Sequence, residues 1–322
     1  MDQIARQKQI DIQKFQQNEK LETRYNLPSE VKYCRKCVMS NQRPVSVVEH
    51  RAKVDDSKDT LAFDQSGVCD ACNFALLKSE INWHERKELL HDLCLKHKGK
   101  SNTSFNCVVP GSGGKDSFYA AHVLKYEFGM RPLTVTWSPN IYTDWGWKNH
   151  QAWLAAGFDN VLFTPNKRTH RLLTRLSTEI LFHPFQPFII GQKLIAEKIA
   201  NQYDIPLIFY GENEAEYGNP LSENDSSVRD KKFASTHNFD SIVLGGVSVA
   251  DLRSHFGFDD SDLAFYLPLD QRDLHRKRIE THYLGYYLRW HPQSCYYYSV
   301  ENGGFEAAPE RSPGTYSKYN SI

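Results

Sequence analysis

The segment "CVVPGSGGKDSFYAAHVL", Cys107 to Leu124, constrains this 322-residue chain more than any other stretch. A short apolar run leads into Gly-Ser-Gly-Gly-Lys-Asp-Ser and then into apolar residues at helical spacing, which reads as strand, loop and helix. Glycines in such a loop let backbone N–H groups approach a ligand, and the N-terminus of the following helix adds partial positive charge. The turn is therefore an anion cradle. It is not a Walker A loop, because Asp116 stands where Ser or Thr must follow Gly-Lys and the first glycine is misplaced. The Gly-x-Gly-x-x-Gly dinucleotide pattern fails as well.

Beyond this point apolar runs of strand length alternate with helical patterns: "LTVTW", "KNHQAWLAAG", "VLFT", "KRTHRLLTRLS", "GQKLIAEKIANQY" and "LIFYG", followed by a less regular region containing "SIVLGG" and "HYLGYYLRW". That alternation predicts an α/β fold, a doubly wound parallel sheet with helices on both faces and ligands beyond the carboxyl ends of the strands. The chain divides into a polar lead-in over 1–30, a cysteine-bearing module with a connecting helix over 31–100, and a main domain over 101–322. The linker "GKSNTSFN" marks the cut. In the connecting helix Ile81, Leu89, Leu90 and Leu93 supply the apolar spacing.

Seven cysteines are present: Cys34-x-x-Cys37 and Cys69-x-x-Cys72 form pairs, while Cys94, Cys107 and Cys295 stand alone. Four soft ligands in two pairs read as a closed structural Zn²⁺ site in a reducing compartment, with an iron–sulfur cluster or an unloaded reduced site as alternatives. The 31 residues between the pairs exceed common zinc-ribbon spacing. Lys plus Arg equals Asp plus Glu, so no overall basic field exists to hold a nucleic-acid backbone. No apolar leader or membrane span is evident in the sequence, and the expectation is a cytoplasmic protein.

Ser112, Gly113, Gly114, Asp116 and Ser117 match the Ser-Gly-Gly-x-Asp-Ser signature of the PP-loop ATP pyrophosphatases, with Lys115 at the variable place. The resemblance implies cleavage of ATP to AMP and pyrophosphate. Ser112, Ser117 and the loop amides would hold the pyrophosphate, Lys115 would offset its charge and Asp116 would position Mg²⁺. A longer set of segments, from "YCRKCVMSNQRP" through "GVCDAC", "TWSPNIYTDWGWKNHQAWLAAGFDNVLFTPN", "HPFQPFIIGQK" and "IFYGENEAEYGN" to "GTYSKYNS", resembles the N-acetyl sugar amidotransferases of the WbpG/PseA type. That family makes acetamidino sugars for lipopolysaccharide O-antigens and flagellin glycans. It would adenylate the acetamido oxygen of a nucleotide-linked N-acetyl sugar, using ammonia from a separate glutaminase subunit acting with a cyclase-like protein. No glutaminase motif is found in this chain, which fits an outside source. The family also continues past "GTYSKYNS", so 101–322 is read as shortened at its C-terminus.

Gly211 and Glu212 after "LIFY" are expected at the nucleotide, with Asn213, Glu214 and Glu216 close to the metal or substrate. Tyr142, Asp144 and Trp147 follow the second strand and are candidates for substrate contacts, as are Gln192 and Lys193; His183 is a weaker one. Packing or solvation explains several of these equally well, including the basic helix "KRTHRLLTR". The rival class is a tRNA-modifying PP-loop enzyme of thiolation or lysidine type, and balanced charge argues against it.

Overall fold

A computed structural model describes residues 27–28, 30–53, 55–98, 104–220, 226–311 and 318. Most of the lead-in, residues 99–103 of the linker and nearly all of "GTYSKYNS" lie outside these residues. The main sheet contains β1 (Cys107–Pro110), β2 (Pro132–Trp137), β3 (Asn160–Phe163), β4 (Leu207–Tyr210) and β5 (Glu280–Tyr283). Its order is β3-β2-β1-β4-β5 and every pairing is parallel. The order reverses between β1 and β4, which opens a crevice at their carboxyl ends.

Two-residue alternation in the strands explains both faces. Val108, Leu133, Val135, Trp137 and Ile208 point into one core, covered by α5 (Lys167–Leu181) and α6 (Gln186–Tyr203). Cys107, Val109, Leu207 and Phe209 point into the other, beneath α3 (Lys115–Tyr126), α4 (Asp144–Ala155) and α7 (Pro292–Gly303). With both faces covered, β1 and β4 read as unbroken apolar runs, and β2 is buried throughout even at Thr134 and Thr136. At the edge, β3 is only half-buried, with Leu162 exposed.

Two segments depart from the sequence reading. "SIVLGG" supplies no strand to the main sheet: Val243–Leu244 turns back at Gly245 and Gly246 to pair antiparallel with Val247–Ser248. The fifth strand comes instead from "ETHY", whose mixed polarity hides a buried Thr281-His282-Tyr283. In the cysteine-bearing module, α1 (Asp70–Leu77) is followed by α2 (Trp83–Lys98). Leu90 and Cys94 of α2 enter the second core of the main domain, whereas Leu89 is 48% exposed, so the helix is shared packing rather than a spacer.

Helix α6 crosses the sheet closely at Gly191, where an added Cβ would sit 2.2 Å from the Trp137 ring. Gly191→Ala gains about 1 kcal/mol of helix propensity, yet the overlap with a buried indole outweighs it. The expected result is a net loss of about 1–3 kcal/mol in urea unfolding, with altered Trp fluorescence. A stabilised variant would show that the helix can retreat from the sheet.

Candidate functional site

At the carboxyl ends of the strands lies a cavity of about 450 Å³. Pro110 of β1, Val135 and Trp137 of β2, Tyr210 of β4 and Tyr283 of β5 form its base, and Phe188, Gln192, Lys193 and Ile195 of α6 form one wall. Gly111, Ser112, Gly114, Asp116 and Ser117 bring in the glycine-rich loop, while Gly211, Glu212, Glu214, Tyr217 and Arg229 close the opposite side. Ser46 reaches the cavity from the segment between the two cysteine pairs.

Gly114 caps α3 without any side-chain cap bond, and the start of the helix lies at the cavity, which Gly114, Asp116 and Ser117 line. Gly113 has φ +87°, and a Cβ there would meet the backbone Cα of His150 at 2.6 Å. No other residue suits that approach. The Ser117 hydroxyl donates to the Gly114 carbonyl at 3.0 Å, holding the turn closed.

Asp116 is held by an ion pair with Lys115. Burial raises its carboxyl pKa; Lys115 opposes the shift and the nearby Glu212 charge adds to it. Its Oδ1 is buried without a hydrogen-bond partner among the described residues. An orphaned carboxylate oxygen near a second carboxylate suits a hard divalent cation. Glu212 is oriented by Tyr217, whose hydroxyl donates to Oε1 at 2.6 Å.

The other residues singled out from the sequence divide clearly. Ser112, Gly114, Asp116, Ser117, Gln192, Lys193, Gly211 and Glu212 line the cavity. Lys115 and Gly113 belong to the loop but do not line it; Lys115 is buried behind the turn, where its carbonyl accepts from Ser299 Oγ. Asn213 is buried as the cap of the 214–217 turn, accepting from Ala215 N–H. Glu216 instead accepts from Lys78 of the cysteine module at 2.6 Å. Tyr142, Asp144 and Trp147 gather at the start of α4, where Tyr142 and Trp147 pack edge to face outside the cavity. His183 meets Glu49 at 3.6 Å, away from the cavity, and the Arg side chains of α5 face solvent.

Several cavity residues carried no sequence signal. Trp137 looked like an ordinary strand end. Arg229, in "SVRD", belongs to no motif; it is 4% exposed, paired with Glu197 and stacked over Tyr210 at 4.8 Å. Burial lowers the Lys193 pKa; Glu214 opposes this and Arg229 adds to it.

The four paired cysteines form a metal-binding cluster, with all sulfurs within 4.8 Å of one another. Cys34 and Cys72 Sγ are 3.9 Å apart, and Cys37 and Cys69 Sγ 3.5 Å. Backbone N–H groups of Lys36 and Cys69 point at Cys34 Sγ, the usual support of a metal thiolate. The long insert between the pairs docks the module on the main domain. Ser46 exchanges two hydrogen bonds with Asn219 and Gln186 donates to the Glu49 carbonyl; beyond the second pair, Lys78 also donates to the Trp290 carbonyl. Cys69→Ser and Cys72→Ser are each expected to lose bound metal by elemental analysis. Stoichiometric metal in both variants would reject the site.

A parallel 3-2-1-4-5 sheet with a Ser-Gly-Gly-Lys-Asp-Ser loop at its switch point defines an α/β protein with a glycine-rich loop at the mouth of a cavity and a four-cysteine module. No family model matches the chain. A 90-residue stretch, 28% of the chain, is 29% identical to the uncharacterized protein MJ1599 of Methanocaldococcus jannaschii, and the match spans about a third (31%) of that protein's length. Among solved structures the chain is similar to the U34-tRNA thiolase NcsA from Methanococcus maripaludis with its [4Fe-4S] cluster. The sequence identity is 14%, with a TM-score of 0.29, over 88% of this chain and 76% of that one. Among the described residues no helix is long and apolar enough to cross a membrane.

Proposed function

We propose that the protein is an ATP-using enzyme that transfers AMP to an acceptor oxygen and releases pyrophosphate. The observation that carries this reading is the uncapped start of α3 at the mouth of the cavity, with Asp116 and Glu212 beside it. In this reading the loop amides, Ser112 and Ser117 hold the pyrophosphate, and Asp116 and Glu212 hold Mg²⁺, which neutralises charge on the phosphates. Trp137 and Phe188 offer apolar surface to the base. Lys193 supplies positive charge across the cavity, whereas that of Arg229 is already met by Glu197.

The acceptor, on the resemblance drawn above, is the acetamido oxygen of a nucleotide-linked N-acetyl sugar. That oxygen attacks the α-phosphorus and pyrophosphate leaves; ammonia then attacks the carbon, and AMP departs with the former amide oxygen to leave an acetamidino group. A partner glutaminase with a cyclase-like protein supplies the ammonia. The product belongs to O-antigen or flagellin glycan synthesis in the cytoplasm, where ATP and reduced thiols coexist. We assign Zn²⁺ to the cysteine cluster. Four sulfurs around one ion at about 2.3 Å lie about 3.8 Å apart, close to the separations seen, whereas a multi-iron cluster spreads its cysteines over separate metals.

A tRNA base is the second acceptor reading, favoured by the cysteine module lying directly against the cavity wall. For its sulfur-transfer form, Cys94, Cys107 and Cys295 offer no accessible thiolate. All three are buried, and burial pushes the Cys94 and Cys295 thiols up to about 12. The discriminating assay incubates the protein with ATP, Mg²⁺, ammonium salt and UDP-N-acetyl sugars, and in parallel with bulk tRNA plus sulfide or lysine. Amide-to-amidine conversion lowers product mass by about one dalton. Modified tRNA transfers the assignment to the rival, and no AMP in either arm rejects adenylation.

A further inference from the structure

A second chamber of about 160 Å³ adjoins the first. Ser46, Glu214, Arg229 and Tyr283 line both, so these four side chains form the seam between them. The second chamber lies between the cysteine module, which contributes Val45 and Ser46, and the connection from β4 to β5, which contributes Asn219, Val228, Asp230 and Phe233.

Its chemistry differs from that of the first cavity. Its cations are already paired, Arg229 with Glu197 at 3.1 Å and Lys232 with Asp230 at 3.5 Å, while the Glu214 carboxylate, which accepts from the neutral Asn219 amide at 2.9 Å, keeps its negative charge. Such a lining offers no net positive field to a polyphosphate. What it presents is a dense set of short-range donors and acceptors beside the rings of Phe233 and Tyr283, a setting for a compact neutral group rich in hydroxyls or amides. The volume is too small for a whole nucleotide-linked molecule, so only its reacting part would enter.

We propose that this second chamber is the acceptor subsite, that it takes a compact neutral hydroxyl- and amide-bearing group, and that Ser46 of the cysteine module is a positioning residue at the seam. The proposal rests on the adenylation reading, which requires a second substrate beside the nucleotide. It also accounts for the long insert between the cysteine pairs. That insert is held by Asn219, through both its Oδ1 and its Nδ2, so that Ser46 faces both chambers.

The test uses α,β-methylene-ATP with Mg²⁺ as the nucleotide probe and UDP-N-acetylglucosamine as the acceptor probe, each titrated calorimetrically. Val228 lines only the second chamber, at a partly exposed position, so Val228→Trp fills it without touching the loop. Expected in Val228→Trp are nucleotide affinity within about twofold of the native protein and acceptor-probe affinity at least tenfold weaker. Ser46→Ala should weaken the acceptor probe more than the nucleotide. Equal acceptor binding by native protein and Val228→Trp overturns the assignment, as does native protein that binds the nucleotide but not the acceptor probe. Displacement by bulk tRNA but not by N-acetylglucosamine 1-phosphate would give the chamber to a nucleobase and equally overturn it. Native protein that binds no nucleotide defeats the adenylation reading itself.

Discussion

Asp116→Asn is expected to lower AMP formation by about 10²–10³-fold while leaving the fold intact. The amide keeps the size of the side chain but removes the charge that the unpartnered Oδ1 would offer a cation. Little stability should be lost. Burial already opposes the charged form of Asp116, so the carboxylate is there at some cost to the folded state. The measurement is single-turnover release of AMP from labelled ATP, with a thermal melt beside it and α,β-methylene-ATP binding with and without Mg²⁺. The Mg²⁺-dependent part of that binding should disappear. Turnover within tenfold of native would show that the loop does not work as assigned.

The second large effect is structural. Glu197→Ala is expected to destabilise the protein by about 3–5 kcal/mol, because it strands the Arg229 guanidinium in the interior. Glu197 sits on α6 and Arg229 on the long connection from β4 to β5, and each side chain is 3% exposed. Thr281 of β5 donates to the same carboxylate oxygen at 3.2 Å. One carboxylate thus ties a helix, a loop and an edge strand around the base of both chambers. Replacing both members together, as Glu197→Leu with Arg229→Met, should recover much of the loss, since well-packed apolar residues avoid the desolvation penalty. Urea unfolding of the singles and the double gives the coupling. A single-variant loss below about 1 kcal/mol would mean that water reaches the pair.

The parts of this protein that could be read along the chain are those whose cause is local. The β1–loop–α3 unit is written in consecutive residues: a buried apolar run, glycines where the backbone turns tightly against α4, and an apolar helical face. The central strands announced themselves because both faces are covered, and the cysteine pairs because two thiols three positions apart form one knuckle. Where covering was uneven the signal failed. "ETHY" is polar in composition yet becomes β5, and "SIVLGG" is apolar yet forms a detached hairpin. In "GENEAEYGN" Glu212 is expected at the nucleotide, and Asn213, Glu214 and Glu216 are expected together at the metal or substrate. The fold separates them into Glu212 and Glu214 at the cavity, Asn213 as a cap and Glu216 as a tether to Lys78.

From sequence alone came the parallel α/β sheet, the glycine-rich turn after its first strand and a four-sulfur cluster, because backbone period, turn geometry and knuckle spacing are properties of a few neighbouring residues. Only the tertiary structure decided which side chains enclose the cavity, how Arg229 is neutralised and that Ser46 meets Asn219 across 173 positions. Burial and charge pairing depend on what distant segments lay over a residue, and no short stretch of chain records that.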